Sequence, residues 1–404
     1  MPAPPTRADA EARDRANPLA PFRARFSGLG DTAYLLGNSL GPMPDATAAR
    51  VATFMAEGWG AKGVLGWADW IDLPITVGDR LGALLGAAPG QVALGDSTTV
   101  QLYKLVAAAL DGRPDATAVA VAADEFPTDR YVVASLAAGR RMAVRTVATD
   151  GPDGPVTPAT IEEACADGAV AVVVASLVRF RTGAWADLAA CTAAAHRHGA
   201  LVLWDLSHAA GSVPVDLDGA GVDLAAGCSY KYLNGGPGAP AFAYRATRHA
   251  RLHQPIHGWF GDVDQFAMAD AYRPQADARQ LVVGTPPVAG LLAVDEGIAL
   301  LEEAGEARRR EVSLALTGFA LDHAAAALAG TGVAVPTPVE PERRGSHVAL
   351  RHPDAQALVA ALVAEDIVVD FRAPDVVRLA AAPLHTRFVD LWDAIDGVRR
   401  LLAG

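Results

Sequence analysis

From about Val92 to Arg245 the chain alternates between two textures. Short apolar runs rich in small and β-branched residues recur (AVAVAA, MAVRTVAT, AVAVVVAS, ALVLWDLS, VDLAAGCS, PAFAYRA). Between several of them lie stretches with apolar positions at helical spacing, at 98–111, 129–139 and 185–198. Strands that read as almost unbroken apolar runs are buried on both faces, and strands alternating with helices build parallel sheets. The pattern predicts an α/β fold whose mostly parallel sheet is covered by helices on both sides.

Flanking this region the pattern changes. The first 30 residues read as an arm with one short helix over Arg7–Arg15, and YLLGNSLGPMP (Tyr34 to Pro44) reads as a short strand entering a Gly/Pro loop. Helical patterns follow at about 45–58 and 74–87. Gly284-Thr285-Pro286-Pro287 punctuates the chain, and a long Ala/Leu/Glu-rich helical region covers about 287–327. The remainder, 331–404, reads as a small α+β unit: a strand at HVALR, a helix near 355–364, strands at IVVDF and VVRLA, and a last helix from about 387. We expect three parts: an N-terminal arm (1–44) packed with the small domain, a large domain (45–286), and a long connecting helix with the small C-terminal domain (287–404).

Composition narrows the function. The 404 residues are 51% hydrophobic and 20% charged, the balance of a globular chain long enough for two domains. A net charge of -12 lacks the basic footprint that nucleic acid requires, so no nucleic-acid partner is expected. Three cysteines, Cys165, Cys191 and Cys228, cannot all pair and form no CxxC; this disfavours a disulfide framework or zinc site and suits a reducing cytoplasm. No His/Cys/Asp/Glu spacing reads as a metal site. The N-terminal residues show no apolar h-region, and no run approaches the ~18 apolar residues of a membrane span.

The stretch from Leu201 to Pro240 carries the chemistry. LVLW ends in Asp205, with His208 three residues on; a second apolar run ends at Tyr230-Lys231, before the glycine-rich Asn234 to Gly238. The 26-residue separation of Asp205 and Lys231 fits one strand–helix–strand unit, so both can reach one pocket at the sheet edge, where ligands gather in open α/β sheets. A carboxylate for a ring nitrogen and an amine for an aldehyde are what a pyridoxal phosphate (PLP) enzyme requires. Each residue also has a structural reading: Asp205 as a helix cap, Lys231 as a snorkelling strand-end lysine, His208 as a turn cap. Asp96-Ser97-Thr98-Thr99 precedes an apolar helical pattern and is either a phosphate site at a helix N-terminus or an ordinary cap. Phe126 could stack on a cofactor ring and Asp129 could be a second acid, or both belong to a turn. Arg378, inside the apolar VVRLA, would grip a substrate carboxylate or serve a structural salt bridge.

Taken together, these residues resemble the kynureninase family, PLP enzymes of fold type I, from about Tyr34 to Phe388. The likeness rests on LLGNSLGPMP, WIDLPITVGDRL, DSTTVQLYKL, EFPTD, SLVRFRTG, LWDLSHAAGSVPVDL, GCSYKYLNGGPGAPAF, QPIHGWFGD, GTPPV and VVRLAAAPLHTRF. The resemblance implies a mostly parallel seven-stranded sheet in the large domain, a smaller α+β domain, and a homodimer with the active site at the interface. It implies that Lys231 carries the cofactor, that Asp205 pairs the ring nitrogen, that Phe126 stacks on the ring, and that Asp129 and His208 line the site. Thr98, Thr99, Ser176 and Tyr230 would bind the cofactor mainly around its phosphate. Trp259 and Thr285 would reach the phosphate, by way of the partner subunit in a dimer. Arg378 would hold the substrate α-carboxylate, and Tyr230 would relay a proton. The implied reaction is hydrolytic cleavage of the Cβ–Cγ bond of an aryl-ketone amino acid such as kynurenine, giving an anthranilate and L-alanine.

Several positions depart from the family pattern: Gly63–Gly66 with Trp67 displaced, Arg179 before the RTG motif, Asp262 after GWFG, and His385 after Pro383-Leu384. These are expected to shape the aryl pocket, with Gly66 and Asp262 as substrate-binding candidates, and they suggest a ring-substituted kynurenine. Another fold-type-I activity, a β-lyase, desulfurase or aminotransferase, is the alternative. A desulfurase would want a mobile catalytic cysteine, whereas all three cysteines fall in stretches that read as regular structure.

Overall fold

A computed structural model describes residues 4–403; residues 1–3 of the expected arm and Gly404 lie outside it. Strand β1 (Ala33–Tyr34) is followed by the large-sheet strands β2 (Val92–Leu94), β3 (Ala118–Ala122), β4 (Ala143–Val147), β5 (Val170–Ser176), β6 (Leu201–Asp205), β7 (Leu224–Gly227) and β8 (Phe242–Arg245). The seven form one sheet in the order β2-β8-β7-β6-β5-β3-β4. Only β8 runs against its neighbours; every other pairing away from it is parallel. This is the α/β architecture with a mostly parallel sheet that the run pattern predicts.

Strand periodicity explains the two layers. Val202 and Trp204 of β6 face one apolar core, while Leu201 and Leu203 face the other. The helices Thr98–Asp111 and Pro127–Arg140 cover the second face, burying Leu102, Leu105 and Val106, and Val132, Val133 and Leu136. The helix Leu188–Arg197 packs beside β6 on the first face, where Thr192 accepts the indole N–H of Trp204 at 3.1 Å. Because β3, β5, β6 and β7 run parallel, their C-terminal ends open on one edge. Glu125, Ser176, Asp205 and Tyr230-Lys231 all lie at or just beyond those ends.

Beyond the large sheet, β9 (His347–Arg351), β10 (Ile367–Val368), β11 (Asp370–Arg372) and β12 (Val376–Ala380) follow; β11-β12-β9 form an antiparallel ribbon. The arm docks here. Strand β1 pairs in parallel with β10, the helix Arg7–Ala16 packs on the last helix Phe388–Ala403, and Asp14 accepts the N–H groups of Phe388 and Val389 at 2.7 and 3.1 Å. Those N–H groups open the last helix and have no partner within it.

Four elements differ from the run pattern. No helix lies between Asp205 and Lys231: β6 and β7 are joined by turns alone. The expected connecting helix is two helices, Val288–Ala304 and Glu306–Ala327, broken at Gly305, whose φ of +75° a helix cannot continue through. IVVDF splits into β10 and β11, which pair with different partners. The helix begun at Asp45 ends at Thr53 and widens into a π-helical segment over Phe54–Ala61. Among the described residues no helix is long and apolar enough to cross a membrane.

Candidate active site

One cavity of about 520 Å³ opens at the C-terminal edge of the parallel strands, within the range of small-molecule sites. Its wall includes Thr98, Thr99, Phe126, Asp129, Ser176, Asp205, His208, Tyr230, Lys231 and Arg378. Residues spread over 280 positions of sequence are thus brought together by the strand ends.

At one end of the cavity stand three buried carboxylates. Oxygens of Asp205, Asp129 and Glu125 lie within 4.8 Å of one another. Asp205 ends β6, and its Oδ1 accepts the Ser207 N–H at 2.7 Å, which fixes the carboxylate. Asp129 sits in the first turn of the helix Pro127–Arg140; burial, then the charges of Asp205 and Glu125, push its carboxyl well above the usual range. Sequence reasoning missed Glu125. Its Oε2 accepts the Ser176 N–H at 2.6 Å, and its Oε1 accepts the Ser176 hydroxyl and the Phe126 N–H. Ser176, expected around the phosphate, is corrected: it pairs with Asp205 across β5 and β6, and its hydroxyl is committed to Glu125 at this acid end. A crowd of carboxylates suits a cationic N–H such as that of a protonated pyridine ring, and Phe126, 41% exposed and edge-on to Phe180 at 5.5 Å, offers an apolar face beside it.

Across the cavity Lys231 reaches in from the segment after β7. Its Nζ lies 3.4 Å from His208 Nδ1, and His208 Nε2 lies 3.5 Å from an Arg378 nitrogen. Burial, then the Lys231 and Arg378 charges, hold His208 well below the usual histidine range, so it is neutral at physiological pH. Arg378 is already paired: its Nε donates to Asp370 at 2.8 Å, a second nitrogen binds the same carboxylate, and a third donates to Phe180 O at 2.8 Å. The salt bridge foreseen for it is therefore formed, and a substrate carboxylate would have to share a guanidinium whose three nitrogens are already engaged. Arg372, also missed, lines the same cavity with its Nε unpartnered and contacts Asp370 at 2.9 Å. Alternation along β11 puts Asp370 and Arg372 on one face, and the ribbon register sets Asp370 opposite Arg378. That alternation was the available signal.

The third side is the N-terminus of the helix Thr98–Asp111, capped by Ser97, which presents free N–H groups and two threonine hydroxyls to an anion. Asp96 beside it is held by the buried Lys104 at 2.7 Å.

The loop Leu36–Pro44 braces the lysine segment. Gly41 N–H donates to Tyr230 O at 2.7 Å, and Asn234 donates to Pro42 O at 2.9 Å. A Cβ on Gly41 would stand 2.3 Å from Lys231 O. Since that obstacle is backbone, Gly41→Ala is expected to displace Lys231 and cost about 1–3 kcal/mol. Thermal melting and the visible absorbance of bound cofactor check this: both fall, and unchanged values would show that the loop is not a brace.

Other expected residues are not on this cavity. Trp259 and Thr285 are exposed elsewhere on the same chain. Gly66 is buried under Trp70, whose indole nitrogen a Cβ would meet at 2.8 Å. Asp262 lines a separate cavity of about 290 Å³ with Ile71, Phe260 and Phe266. There it accepts the N–H groups of Asp264 and Arg273, which hold it below the usual carboxylate range. Arg179 is a buried clamp on Asp124 and the Pro152 and Gly154 carbonyls. His385 packs edge-on to Phe26 and Tyr34, and burial pushes it down to about 3. Neither Arg179 nor His385 lines the cavity, so as pocket-shaping positions they are corrected: Arg179 is committed to its ion pair and carbonyl contacts, His385 to packing.

Comparison with known proteins completes the picture. Residues 309–398 match the family model described as the kynureninase C-terminal domain. A kynureninase of Burkholderia pseudomallei is 38% identical over 406 residues, covering 98% of this chain and 95% of that one. A kynureninase of Pseudomonas fluorescens is 37% identical over 404 residues, with the same coverage. Among solved structures, a C-DES variant with glycine covalently linked to its PLP cofactor superposes with a TM-score of 0.81 at 18% identity, covering 94% of this chain and 98% of that one. The apo cysteine desulfurase of Thermococcus onnurineus NA1 gives 0.80 at 15% identity, covering 95% and 98%. At such identities the two structures speak for the fold, which is the PLP fold type I.

Proposed function

The chain belongs to the kynureninase family, and from that premise we propose that it is a PLP-dependent hydrolase cleaving the Cβ–Cγ bond of L-kynurenine, or of a ring-substituted kynurenine, to an anthranilate and L-alanine. The observation that carries this reading is the meeting of Lys231 and Asp205 in one cavity beside a hydroxyl-rich helix N-terminus. The residues fit the cofactor: Asp205 and Asp129 would hold the ring N–H, Phe126 would lie on the ring, Thr98 and Thr99 would bind the phosphate, and Lys231 would bond the aldehyde carbon. Bound there, the cofactor supplies an electron sink for carbon–carbon cleavage.

The other roles belong to the chain. The Lys231 amine can take up and return a proton at the substrate Cα. Tyr230 lines the cavity; burial and the neighbouring Cys228 thiol raise its phenol above its ordinary value, so it keeps its proton and can donate to a reacting oxygen. Arg378 with Arg372 would hold the α-carboxylate. Neutral His208 spaces Lys231 from Arg378, keeping two cations apart.

The ring-substituted alternative now rests on Gly63–Gly66 and Asp262. A homodimer is part of the proposal: Leu65, Met268 and Phe266 are 84%, 71% and 59% exposed, and Trp259, edge-on to Trp67, Phe260 and Phe266, is still 37% exposed. A second copy over that face would bring Trp259, Thr285 and Asp262 to a neighbouring cavity, and sedimentation should give twice the chain mass. A cytoplasmic setting suits three buried, unpaired thiols. A desulfurase is disfavoured, because burial pushes Cys165 to about 11 and Cys191 to about 12, and no cysteine lines the cavity.

The deciding experiment supplies PLP and a panel of kynurenine and its hydroxylated, methylated and halogenated analogues, and follows alanine and anthranilate fluorescence. Release of alanine and the matching anthranilate in equal amounts is expected. A protein that shows the cofactor band and yields no alanine from any of them is another fold-type-I enzyme, a β-lyase or aminotransferase. A strong preference for unmodified L-kynurenine would remove the ring-substituted reading.

A further inference from the structure

Asp205 and Asp129 account for the contacts proposed to the ring nitrogen, yet the acid end of the cavity holds one carboxylate more than those contacts use. Glu125 is 3% exposed and Asp129 2%, and Asp129 Oδ2 is buried with no hydrogen-bond partner. Three carboxylates whose oxygens lie within 4.8 Å cannot all stay ionised out of water: like charges at such range repel strongly where the medium is poorly polarisable. Protons must therefore reside in the cluster when no cation faces it.

The local contacts say which acid yields most readily. Glu125 accepts from the Ser176 N–H, the Ser176 hydroxyl and the Phe126 N–H, all of which favour its ionised form. Asp129 has no such donors, and its Oδ2 is without a partner, so it holds its proton more firmly. The charged groups around Glu125 are Asp205 from β6 and Asp129 from the helix Pro127–Arg140, with Lys231 beyond Asp129. On its outer side stands Asp124, bound by Arg179 and Arg181; His208, Tyr230 and the arginine pair Arg372 and Arg378 line the rest of the cavity. Burial, then Asp205, pushes Glu125 up to about 7, with the Ser176 hydrogen bond pulling the other way.

We propose that Glu125 is a positioning residue for the ring-nitrogen end of the site: it holds a proton when the cavity is empty and releases it when a cationic ring nitrogen docks against Asp205 and Asp129. The inference rests on the cofactor assignment above and deepens it. An arriving positive charge favours the ionised form of every nearby acid, and Glu125, already best supplied with donors, is the one poised to respond. Its carboxylate then adds a second negative charge to that of Asp205 and holds the ring nitrogen protonated without touching the ring, braced by Ser176 on the strand next to Asp205. The sign is definite. A glutamate raised in the empty protein binds a proton there that the unfolded chain does not, so the empty protein loses stability as pH rises from the ordinary glutamate range to about 7. Cofactor binding removes that loss.

The test counts protons. Cofactor-depleted protein is titrated with PLP by calorimetry at pH 7 in two buffers of different ionisation enthalpy, for wild type and Glu125→Gln, with the visible band of the product recorded. Wild type is expected to release about half a proton more than Glu125→Gln, the fraction held by a group titrating near that pH, and the difference shrinks as pH rises. In the reconstituted enzymes the pH midpoint of the visible band moves lower in Glu125→Gln, since one negative charge is gone. Equal proton counts and equal midpoints overturn the role of Glu125 while leaving the cofactor in place; failure of any visible band in wild type overturns the cofactor assignment and this inference together. Glutamine cannot accept from both Ser176 donors and Phe126, so Ser176→Ala is the second variant. It removes one donor to Glu125, and its proton-release curve must shift to higher pH; an unshifted curve also overturns the proposal.

Discussion

Replacing Lys231 by alanine is expected to abolish the visible cofactor band and lower turnover by at least about 10³-fold, the combined weight of covalent and proton-transfer roles. The chain has three lysines, and the other two cannot substitute. Lys62 is on the surface, paired with Asp69 at 2.5 Å. Lys104 is fully buried, held by Asp96 at 2.7 Å and by the Leu281 carbonyl. Among the described residues Lys231 has no carboxylate partner, and its one hydrogen-bonding contact is the 3.4 Å approach to neutral His208. The folded state therefore loses little with it, and melting should change by no more than about 0.5 kcal/mol, the range for changes away from core features. Borohydride reduction with PLP followed by mass spectrometry is the direct check: wild type gains one cofactor adduct on the peptide containing Lys231 and the variant gains none. A variant that keeps a reducible adduct, or a tenth of the turnover, would place the reactive amine elsewhere.

What could be read from the chain, and what could not, follows from the range over which each signal acts. The helix Thr98–Asp111 was legible to the residue because its cap, Ser97, and its apolar face lie within one short window. The strand ends bearing Asp205 and Lys231 were legible because both-face burial leaves unbroken apolar runs. Gly305 was not, since the Ala/Leu/Glu pattern continues on both sides and only a φ of +75° marks the break. Glu125 was hidden because its partner Ser176 is 51 positions away, and a lone acid before a Phe-Pro turn carries no local sign of burial. Arg179 and His385 misled in the opposite direction. Their divergence from the family pattern was visible, but whether a side chain faces the cavity or the core depends on pairing that no single stretch encodes.

Arg378 gives the largest expected effect on stability, and its second role can be separated from the first. The guanidinium is 1% exposed and doubly bonded to Asp370. Removing one partner of a buried ion pair costs about 3–5 kcal/mol; because Arg372 stays on Asp370 at 2.9 Å, Arg378→Met should fall near the lower end. That loss alone would show only a salt bridge. If Arg378 also holds the substrate α-carboxylate, its removal forfeits a charge-assisted contact of about 1.5–3 kcal/mol, and KM should rise about 10- to 100-fold. Adding Asp370→Asn to Arg378→Met removes the stranded charge, so the double variant should recover most of its melting temperature. It should not recover KM, because the missing cation is still missing. Arg372→Met, which spares the buried pair, should raise KM with little change in melting if the two arginines share the carboxylate. Recovery of KM together with stability in the double variant would reduce Arg378 to a structural strut and leave Arg372, the partly exposed neighbour on the same ribbon face, as the group that meets the substrate.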